Sequence, residues 1–255
     1  MPASLRALIF DVDGTLADTE RDGHRVAFNR AFADEGLTWR WDENVYGPLL
    51  QVAGGRERLL HYMADALPAW PLDEREALAD QLHRRKTSHY LELVEQGAIA
   101  WRPGVVRLLE EARDAGIALA IATTTTRANV LALFEHAGHA ELLDAFAAIG
   151  TAENSARKKP DPGIYRHVLE RLALPAGECL AIEDSRAGLL AARAAGIPTV
   201  VTFNDYTRGE DFGGALRVLP SLAVTGEPLD EAPDAAVERF VGLADLRRWW
   251  AEAPH

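Results

Sequence analysis

The sequence has no means of forming an internal disulfide, because Cys179 is its only cysteine. A single thiol within an apolar run is typical of a reducing compartment, so we expect a cytoplasmic protein. Apolar runs long enough to span a membrane are also lacking, and the short run before Asp11 is too brief for a signal peptide. The sequence therefore predicts neither a secretory segment nor a membrane anchor.

Positive charge is scarce as well, since 27 Lys and Arg residues face 39 Asp and Glu residues, for a net charge of −12. This balance argues against nucleic acid or an anionic membrane surface as the main partner, and favours a small molecule. Any anion site must then be a local cluster of cations. The 255 residues suffice for a core domain with a smaller companion, and a monomer is compatible with the composition.

From about residue 101 onward, apolar strand patterns alternate with amphipathic helical patterns. Pro103 and Gly104 precede the first of these helices, and Gly116 follows it, as is usual for helix ends. The predicted strands lie within 117–126, 144–150, 178–184 and 197–203, and the predicted helices within 105–116, 161–174 and 185–196, with another ending near 138. This alternation predicts an α/β fold with a doubly wound parallel sheet.

Residues 18–100 contain long helical patterns and no clear strand. The segment "DEREALADQLHRRKTSHYLELVEQG" predicts a helix from an N-cap at Asp73 to Gly97. We therefore expect an all-helical cap at 18–100, inserted into an α/β core made of 1–17 and 101–255. The segment 236–250, "AVERFVGLADLRRWW", is also predicted to be helical, with Trp249 and Trp250 packed on the core or at an interface.

Polar residues cluster where the predicted strands end, which is where open α/β sheets bind ligands. They are Asp11 and Asp13, the threonines 123–126, Lys158 and Lys159 before a helix, and Glu183 and Asp184. Each group alone has a structural explanation, as a turn, a helix cap or a solvated loop. Together they favour a catalytic site, because buried carboxylates are costly unless a hard cation such as Mg²⁺ and a lysine offset them.

Four motifs in this order resemble the haloacid dehalogenase superfamily of phosphotransferases. They are "FDVDGTLADTE", "ATTTT", "KKPDPGIY" and "IEDSRAGLLAARAAGI", and they match the subgroup of β-phosphoglucomutase and CbbY-type phosphatases. The shorter segments "TTTTRANV", "GGRER" and "HRRKT" resemble most the CbbY type, the sugar-bisphosphate phosphatases associated with the Calvin cycle. The resemblance covers nearly the whole chain and implies a Rossmann-like core, a helical cap and Mg²⁺-dependent phosphatase activity.

The resemblance also implies the chemistry. Asp11 would be the nucleophile that attacks phosphorus and forms an aspartyl phosphate. Asp13 would protonate the leaving sugar oxygen and then activate a water as a base. Lys159, with Lys158 as its rival, would neutralise charge between the phosphate and Asp11.

The same resemblance assigns the remaining core residues. Thr123 and the backbone amide of Thr124 would hold a phosphoryl oxygen. Asp184 would bind Mg²⁺ together with Asp11 and the carbonyl oxygen of Asp13, while Glu183 would orient a water on the metal. Mg²⁺ and the lysine would stabilise charge on the transferring group.

Substrate selection is expected mainly from the cap. The candidates are Glu20, His24, Gly54, Gly55, Arg56, Arg58, His83 and Lys86 in the cap, with Arg127 and Asn129 in the core. A glycine turn that opens a helix is a possible anion site. The basic run that includes His83 and Lys86 can bind a second phosphate or can be a solvated helix face. The resemblance implies xylulose 1,5-bisphosphate as the substrate.

Three alternatives stay open. A β-phosphoglucomutase would isomerise a sugar phosphate without releasing phosphate. A receiver domain also places acids, Thr and Lys around Mg²⁺, but it has no insertion of about 80 residues. A binding protein without activity is disfavoured because every motif residue is present.

Overall fold

The computed structural model describes residues 4–52, 54–225 and 238–253. The chain divides into two compact units, one made of Met1–Ala17 with Trp101–His255 and the other of Asp18–Ala100. We call them the α/β unit and the helical unit. Within the described ranges, no helix combines the length and the apolar character needed to cross a membrane.

A six-stranded parallel sheet forms the centre of the α/β unit. Its strands are β1 (Ala7–Phe10), β2 (Ala118–Ala122), β3 (Phe146–Gly150), β4 (Cys179–Glu183), β5 (Thr199–Thr202) and β6 (Arg217–Leu219). Their order is β3-β2-β1-β4-β5-β6, and all neighbouring pairs are parallel. The predicted doubly wound parallel sheet is therefore confirmed, with β1 paired to β2 on one side and to β4 on the other.

The helices follow in chain order. They are α1 (Arg25–Asp34), α2 (Glu43–Leu49), α3 (Gly55–Ala66) and α4 (Leu72–Glu95) in the helical unit, and α5 (Val105–Asp114), α6 (Arg127–His136), α7 (Gly163–Leu172), α8 (Arg186–Ala194) and α9 (Leu243–Ala251) in the α/β unit. Every residue of β1 is buried, as expected for a strand covered on both faces. One layer of this core joins Ala7 and Ile9 of β1 to Tyr165 and Val168 of α7.

The helical unit has an aromatic core of its own. Phe28 and Phe32 project from α1 and meet Trp41 at ring-centre distances of 4.7 and 4.9 Å. Tyr46 from α2 joins them, and all four side chains are fully buried. Large rings at these separations supply much of the apolar area that stabilises such a small unit.

The long helix of the helical unit begins earlier than the sequence predicts. Pro71, not Asp73, occupies the N-cap position of α4, so the predicted cap at Asp73 is wrong. Asp73 lies in the first turn instead, where a carboxylate still complements the positive end of the helix dipole.

The C-terminal segment is less helical than the sequence predicts. Glu238–Phe240 form strand β8, which pairs antiparallel with β7 (Ala223–Thr225), and α9 starts only after Gly242. Residues 236 and 237 lie outside the described ranges. Trp249 and Trp250 are buried, and the indole of Trp250 donates to the Gly177 carbonyl at 2.9 Å, which confirms their expected packing on the core.

Candidate active site

The acidic residues of the site come from two adjacent strands. Asp11 directly follows β1, Glu183 is the last residue of β4, and Asp184 follows it. Because Phe10 lies opposite Ile182 in this parallel pair, the acids leave the sheet side by side. The backbone N–H of Asp11 donates to the carbonyl of Ile182 at 3.0 Å, which fixes this register at the strand ends.

Lys159 supplies the positive charge. Its Nζ donates to Asp11 Oδ1 at 2.6 Å and to Glu183 Oε1 at 2.6 Å, and all three side chains are buried. The Nζ atom also lies 5.2 Å from the centre of the Tyr165 ring, a favourable position for a cation. Lys158 is exposed to solvent, so the structure places Lys159, and not Lys158, beside Asp11.

The electrostatics of the cluster are dominated by burial. Burial raises the pKa of Asp11 to about 7, and the attraction of Lys159 only partly offsets it. Burial also raises the pKa of Asp184 well above its usual range, and the charges of Asp11 and Glu183 add to the effect. For Lys159, burial alone would lower the pKa, but the two partner carboxylates outweigh burial and raise it. If all three acids were ionised, the cluster would carry more negative charge than one ammonium can balance.

This donor set fits a hard divalent cation. Asp11, Glu183 and Asp184 each offer a carboxylate oxygen, and these oxygens lie within 4.8 Å of one another. Glu183 Oε1 accepts from Lys159 and Tyr165, whereas Glu183 Oε2 is buried and has no hydrogen-bond partner in the described parts of the chain. Oxygen-only ligands suit Mg²⁺, whose charge would relieve the excess of carboxylates.

The turn after β1 brings Asp13 and Gly14 next to these acids. Asp13 is half-buried, and its charge contributes to the raised pKa of Asp11. Gly14 has a φ of +83°, and a Cβ at this position would collide with the Asp184 carboxylate. The guanidinium of Arg102 donates to the Gly14 carbonyl at 2.5 Å. Only glycine therefore satisfies both the backbone conformation and the close approach.

The threonine run begins at the end of the neighbouring strand. Thr123 follows β2 directly and is buried, and Thr124 comes next at the same edge of the sheet. Thr123 Oγ1 accepts the backbone N–H of Thr125 at 3.2 Å. The side-chain amide of Asn129 donates to Thr125 Oγ1 at 3.0 Å. Asn129 thus stabilises the loop that carries the two threonines.

Arg127 opens α6, and its side chain is exposed. Its backbone N–H donates to both carboxylate oxygens of Glu153, at 3.2 and 3.3 Å. A hydrogen bond from Thr151 lowers the pKa of Glu153. The first backbone N–H group of α6 is therefore bound by the carboxylate of Glu153.

Two predicted residues of the helical unit meet through a tyrosine. The hydroxyl of Tyr46 donates to Glu20 Oε2 at 2.5 Å, and Arg58 Nη1 donates to the Tyr46 oxygen at 2.7 Å. Arg58 is buried and also donates from Nε to the Leu49 carbonyl at 3.1 Å. Its Nη1 lies 3.8 Å from Glu20 Oε2. Arg58 therefore holds Glu20 in place.

A second group surrounds Lys86, which is buried. Its Nζ lies 5.4 Å from the ring centre of Phe28 and 5.3 Å from that of Tyr90. The ring of His24 packs on Tyr90 at 4.1 Å. The structure thus brings two predicted binding residues, Lys86 and His24, onto the same aromatic surface.

The glycine turn lies next to this group. Gly54 has a φ of +106°, and a Cβ at Gly55 would lie 3.0 Å from Cδ2 of His83 and 3.3 Å from Cζ of Phe28. Arg56, the next residue, forms an exposed ion pair with Asp80 on α4. Gly55 and His83 are therefore close together, whereas the side chain of Arg56 forms its ion pair with Asp80.

Three residues that hold the site were missed by sequence reasoning. Tyr165 belongs to the motif "KKPDPGIY" and donates to Glu183 Oε1. Asn204 Nδ2 donates to Asp184 Oδ2 at 2.8 Å. Asn204 closely follows β5, so the rule that polar residues at strand ends form the site would have included it. Arg102 lies just after the predicted cap, and nothing in its local sequence indicates its carbonyl partners.

Comparisons with known proteins show what this chain is similar to. Residues 5–196 match the family model described as haloacid dehalogenase-like hydrolase. The plasmid-encoded protein CbbY of Cupriavidus necator is 53% identical over 247 residues, which cover 96% of each chain. A phosphoglycolate phosphatase of Mesorhizobium japonicum is 34% identical over 203 residues, or 78% of this chain and 83% of the relative. The crystal structure of a mutant CbbY from Rhodobacter sphaeroides in complex with xylulose 1,5-bisphosphate is similar at a TM-score of 0.71 and 41% identity, covering 85% of this chain and 94% of that one.

The raised pKa of Asp11 predicts a distinctive pH dependence of stability in the metal-free protein. Between its ordinary pKa near 4 and about 7, Asp11 is ionised in the unfolded chain but holds its proton in the folded one. The contribution of Asp11 to stability must then fall as pH rises through this window. The amide introduced by Asp11→Asn cannot titrate, so this variant should gain stability relative to wild type as pH rises from about 5 to about 7. Urea unfolding of both proteins in chelator measures this difference, and parallel pH profiles would contradict it.

Proposed function

Since this chain belongs to the haloacid dehalogenase-like hydrolases, we propose that it is a Mg²⁺-dependent phosphatase that hydrolyses a small sugar bisphosphate through an aspartyl phosphate. The observation that carries the proposal is the buried ammonium of Lys159, shared between Asp11 and Glu183 at 2.6 Å from each. A cation in this position favours attack on an anionic phosphate group by a carboxylate, which would otherwise be repelled.

Asp11 acts as the nucleophile. Its carboxylate oxygen attacks phosphorus, and the bond from phosphorus to the sugar oxygen breaks. Asp13 donates its proton to that leaving oxygen, so that the sugar departs as an alcohol. Asp13 then removes a proton from water, and the resulting nucleophile attacks phosphorus and releases inorganic phosphate and the Asp11 carboxylate. Thr123 and the amide of Thr124 hold a phosphoryl oxygen during both steps.

Asp11, Asp184 and the carbonyl oxygen of Asp13 would hold Mg²⁺, and Glu183 would orient a water bound to it. When bound, the ion supplies positive charge that stabilises the transferring phosphoryl group. The support is the buried, oxygen-only cluster together with the buried Glu183 Oε2 atom, which is a ready acceptor for such a water.

Replacement of the two aspartates should separate their roles. Asp11→Asn should abolish phosphate release and leave no phosphorylated protein after an acid quench. Asp13→Asn should keep the nucleophile but lose the acid and base, and a loss of about 10²–10⁴-fold in kcat is expected. Steady-state phosphate release and acid-quenched protein mass measure both effects. Turnover near the wild-type rate in Asp11→Asn would refute the mechanism.

Product analysis distinguishes the phosphatase from the mutase alternative. A phosphatase releases one inorganic phosphate for each substrate consumed, whereas a mutase converts one sugar phosphate into its isomer with little phosphate released. We expect the first pattern when free phosphate and the sugar products are quantified together.

We assign selection of the sugar to the helical unit, and we propose xylulose 1,5-bisphosphate as the substrate. The CbbY structure with this compound supports the choice of sugar. A second phosphate needs a cationic group, and Lys86 is the best candidate. Its ammonium lies against the rings of Phe28 and Tyr90, and the imidazole of His24 packs on the same surface. A buried ammonium among rings loses little hydration when it takes up a phosphate, which favours strong pairing.

The two arginines of the glycine turn have other roles in this proposal. Arg56 pairs with Asp80, and Arg58 holds Glu20 through Tyr46. Arg58 therefore acts on the substrate indirectly, by positioning Glu20. The carboxylate of Glu20 accepts a hydrogen bond from a hydroxyl group of the sugar.

Loss of Lys86 should impair bisphosphate hydrolysis selectively. Charge-assisted hydrogen bonds contribute about 1.5–3 kcal/mol, so Lys86→Ala should lower kcat/KM for the bisphosphate by about 10–100-fold. The matching monophosphate should be affected much less. Arg84→Ala removes an exposed charge of the same helix and is the matched control, with no change expected for either substrate. Equal losses for both substrates in Lys86→Ala would exclude a second-phosphate site at this lysine.

We also propose a cytoplasmic location. The thiol of Cys179, the only cysteine of the sequence, is buried. Burial raises the pKa of this thiol to about 12, so it stays protonated and unreactive. A chain with one inert thiol and no disulfide is consistent with a reducing compartment.

A further inference from the structure

We infer that Asn204 is a positioning residue for the divalent cation, because its side-chain amide holds one oxygen of Asp184 and thereby directs the other. This inference rests on the metal site proposed above. The contact that carries it is the hydrogen bond from Asn204 Nδ2 to Asp184 Oδ2, at 2.8 Å.

The orientation of the Asn204 amide is fixed by its own loop. Its Oδ1 accepts the backbone N–H groups of Tyr206 at 2.9 Å and Thr207 at 3.2 Å. The backbone N–H of Asn204 donates to Thr207 Oγ1 at 3.0 Å. Because backbone N–H groups can only donate, the oxygen of the amide must face the loop, and its nitrogen must face Asp184. The side chain thus forms a rigid Asx turn that presents a donor to the acid.

Arg102 ties this loop to the turn after β1. Its guanidinium donates to the Gly14 carbonyl at 2.5 Å, to the Thr202 carbonyl at 2.6 Å and to the Phe203 carbonyl at 2.7 Å. A further bond reaches the Pro220 carbonyl at 2.8 Å. The turn that carries Asp13 and Gly14 and the loop that carries Asn204 are therefore held by one buried cation.

Space at Gly14 completes the arrangement. A Cβ on Gly14 would lie 2.6 Å from Asn204 Nδ2 and would also collide with Asp184 Oδ2. The absence of a side chain at this position is what allows the amide and the carboxylate to meet. An acid with one oxygen held in this way offers its other oxygen in a fixed direction, and outer contacts of this kind typically change metal affinity by about 10–100-fold.

The test measures binding of Mn²⁺ alone to the metal-free protein, by calorimetry or by the electron paramagnetic resonance of the free ion. Asn204→Ser and Asn204→Thr keep a hydroxyl that can form the turn but cannot reach Asp184. Asp211→Ala is the matched control, because Asp211 anchors the same loop to Arg186 and has no hydrogen bond or ion pair with Asn204 or Asp184 in the described structure. Melting temperatures of the metal-free proteins report any loss of stability.

We expect the Asn204 variants to bind Mn²⁺ about 10–100-fold more weakly than wild type, and Asp211→Ala to bind it with unchanged affinity. Whichever Asn204 variant folds decides the matter. Wild-type affinity in that variant would overturn the inference while leaving the metal site intact. Failure of the wild-type protein to bind Mn²⁺ would overturn the metal site, and the inference with it.

Discussion

The ammonium of Lys159 lies between Asp11 and Glu183, and Asp184 stands close enough for the three carboxylates to share one cation. When all three buried acids are ionised, one lysine leaves an excess of negative charge in a region that excludes water. Charges in this setting interact strongly and must be compensated. The proposed catalytic chemistry depends on this constraint. Burying the ionised acids costs free energy, and the lysine and metal ion that compensate them are also the cations that bind an anionic phosphate.

The fold accommodates the buried acids through the geometry of its backbone and through hydrogen-bond donors held in fixed positions. Parallel pairing of β1 with β4 places Asp11 beside Glu183 and Asp184. Gly188 in α8 makes room for Glu183, since a Cβ there would collide with its carboxylate. Tyr165 donates to Glu183, and this contact leaves the other oxygen of Glu183 for a separate partner. Such supporting contacts hold the reacting groups in fixed positions and orientations, and this positioning lowers the barrier of the reaction.

Sequence patterns revealed the sheet and the acids because both follow from local rules. Asp11, Glu183 and Asp184 stand at the ends of apolar runs, and adjacent parallel strands bring such ends together. Arg102 shows what such rules miss, because its carbonyl partners at Gly14, Thr202 and Pro220 come together only in the folded chain. The sequence predicts one helix over 236–250 because short strands such as β8 depend on a partner strand and carry little signal of their own. The partners of Arg56 and Arg58 also required the tertiary structure.

The number of protons released when Mg²⁺ binds tests most directly whether the buried carboxylates form a metal site. Burial raises the pKa of Asp11 to about 7, so a substantial fraction of the metal-free protein holds a proton on Asp11 at neutral pH. Burial shifts the pKa of Asp184 in the same direction. Calorimetric titration with Mg²⁺ near pH 7, in buffers of different ionisation enthalpy, measures the protons exchanged. We expect protons to be released on binding, and the affinity for Mg²⁺ to rise as the pH is raised from about 6 to about 8. Binding of Mg²⁺ without proton release, or no binding at all, would contradict this expectation.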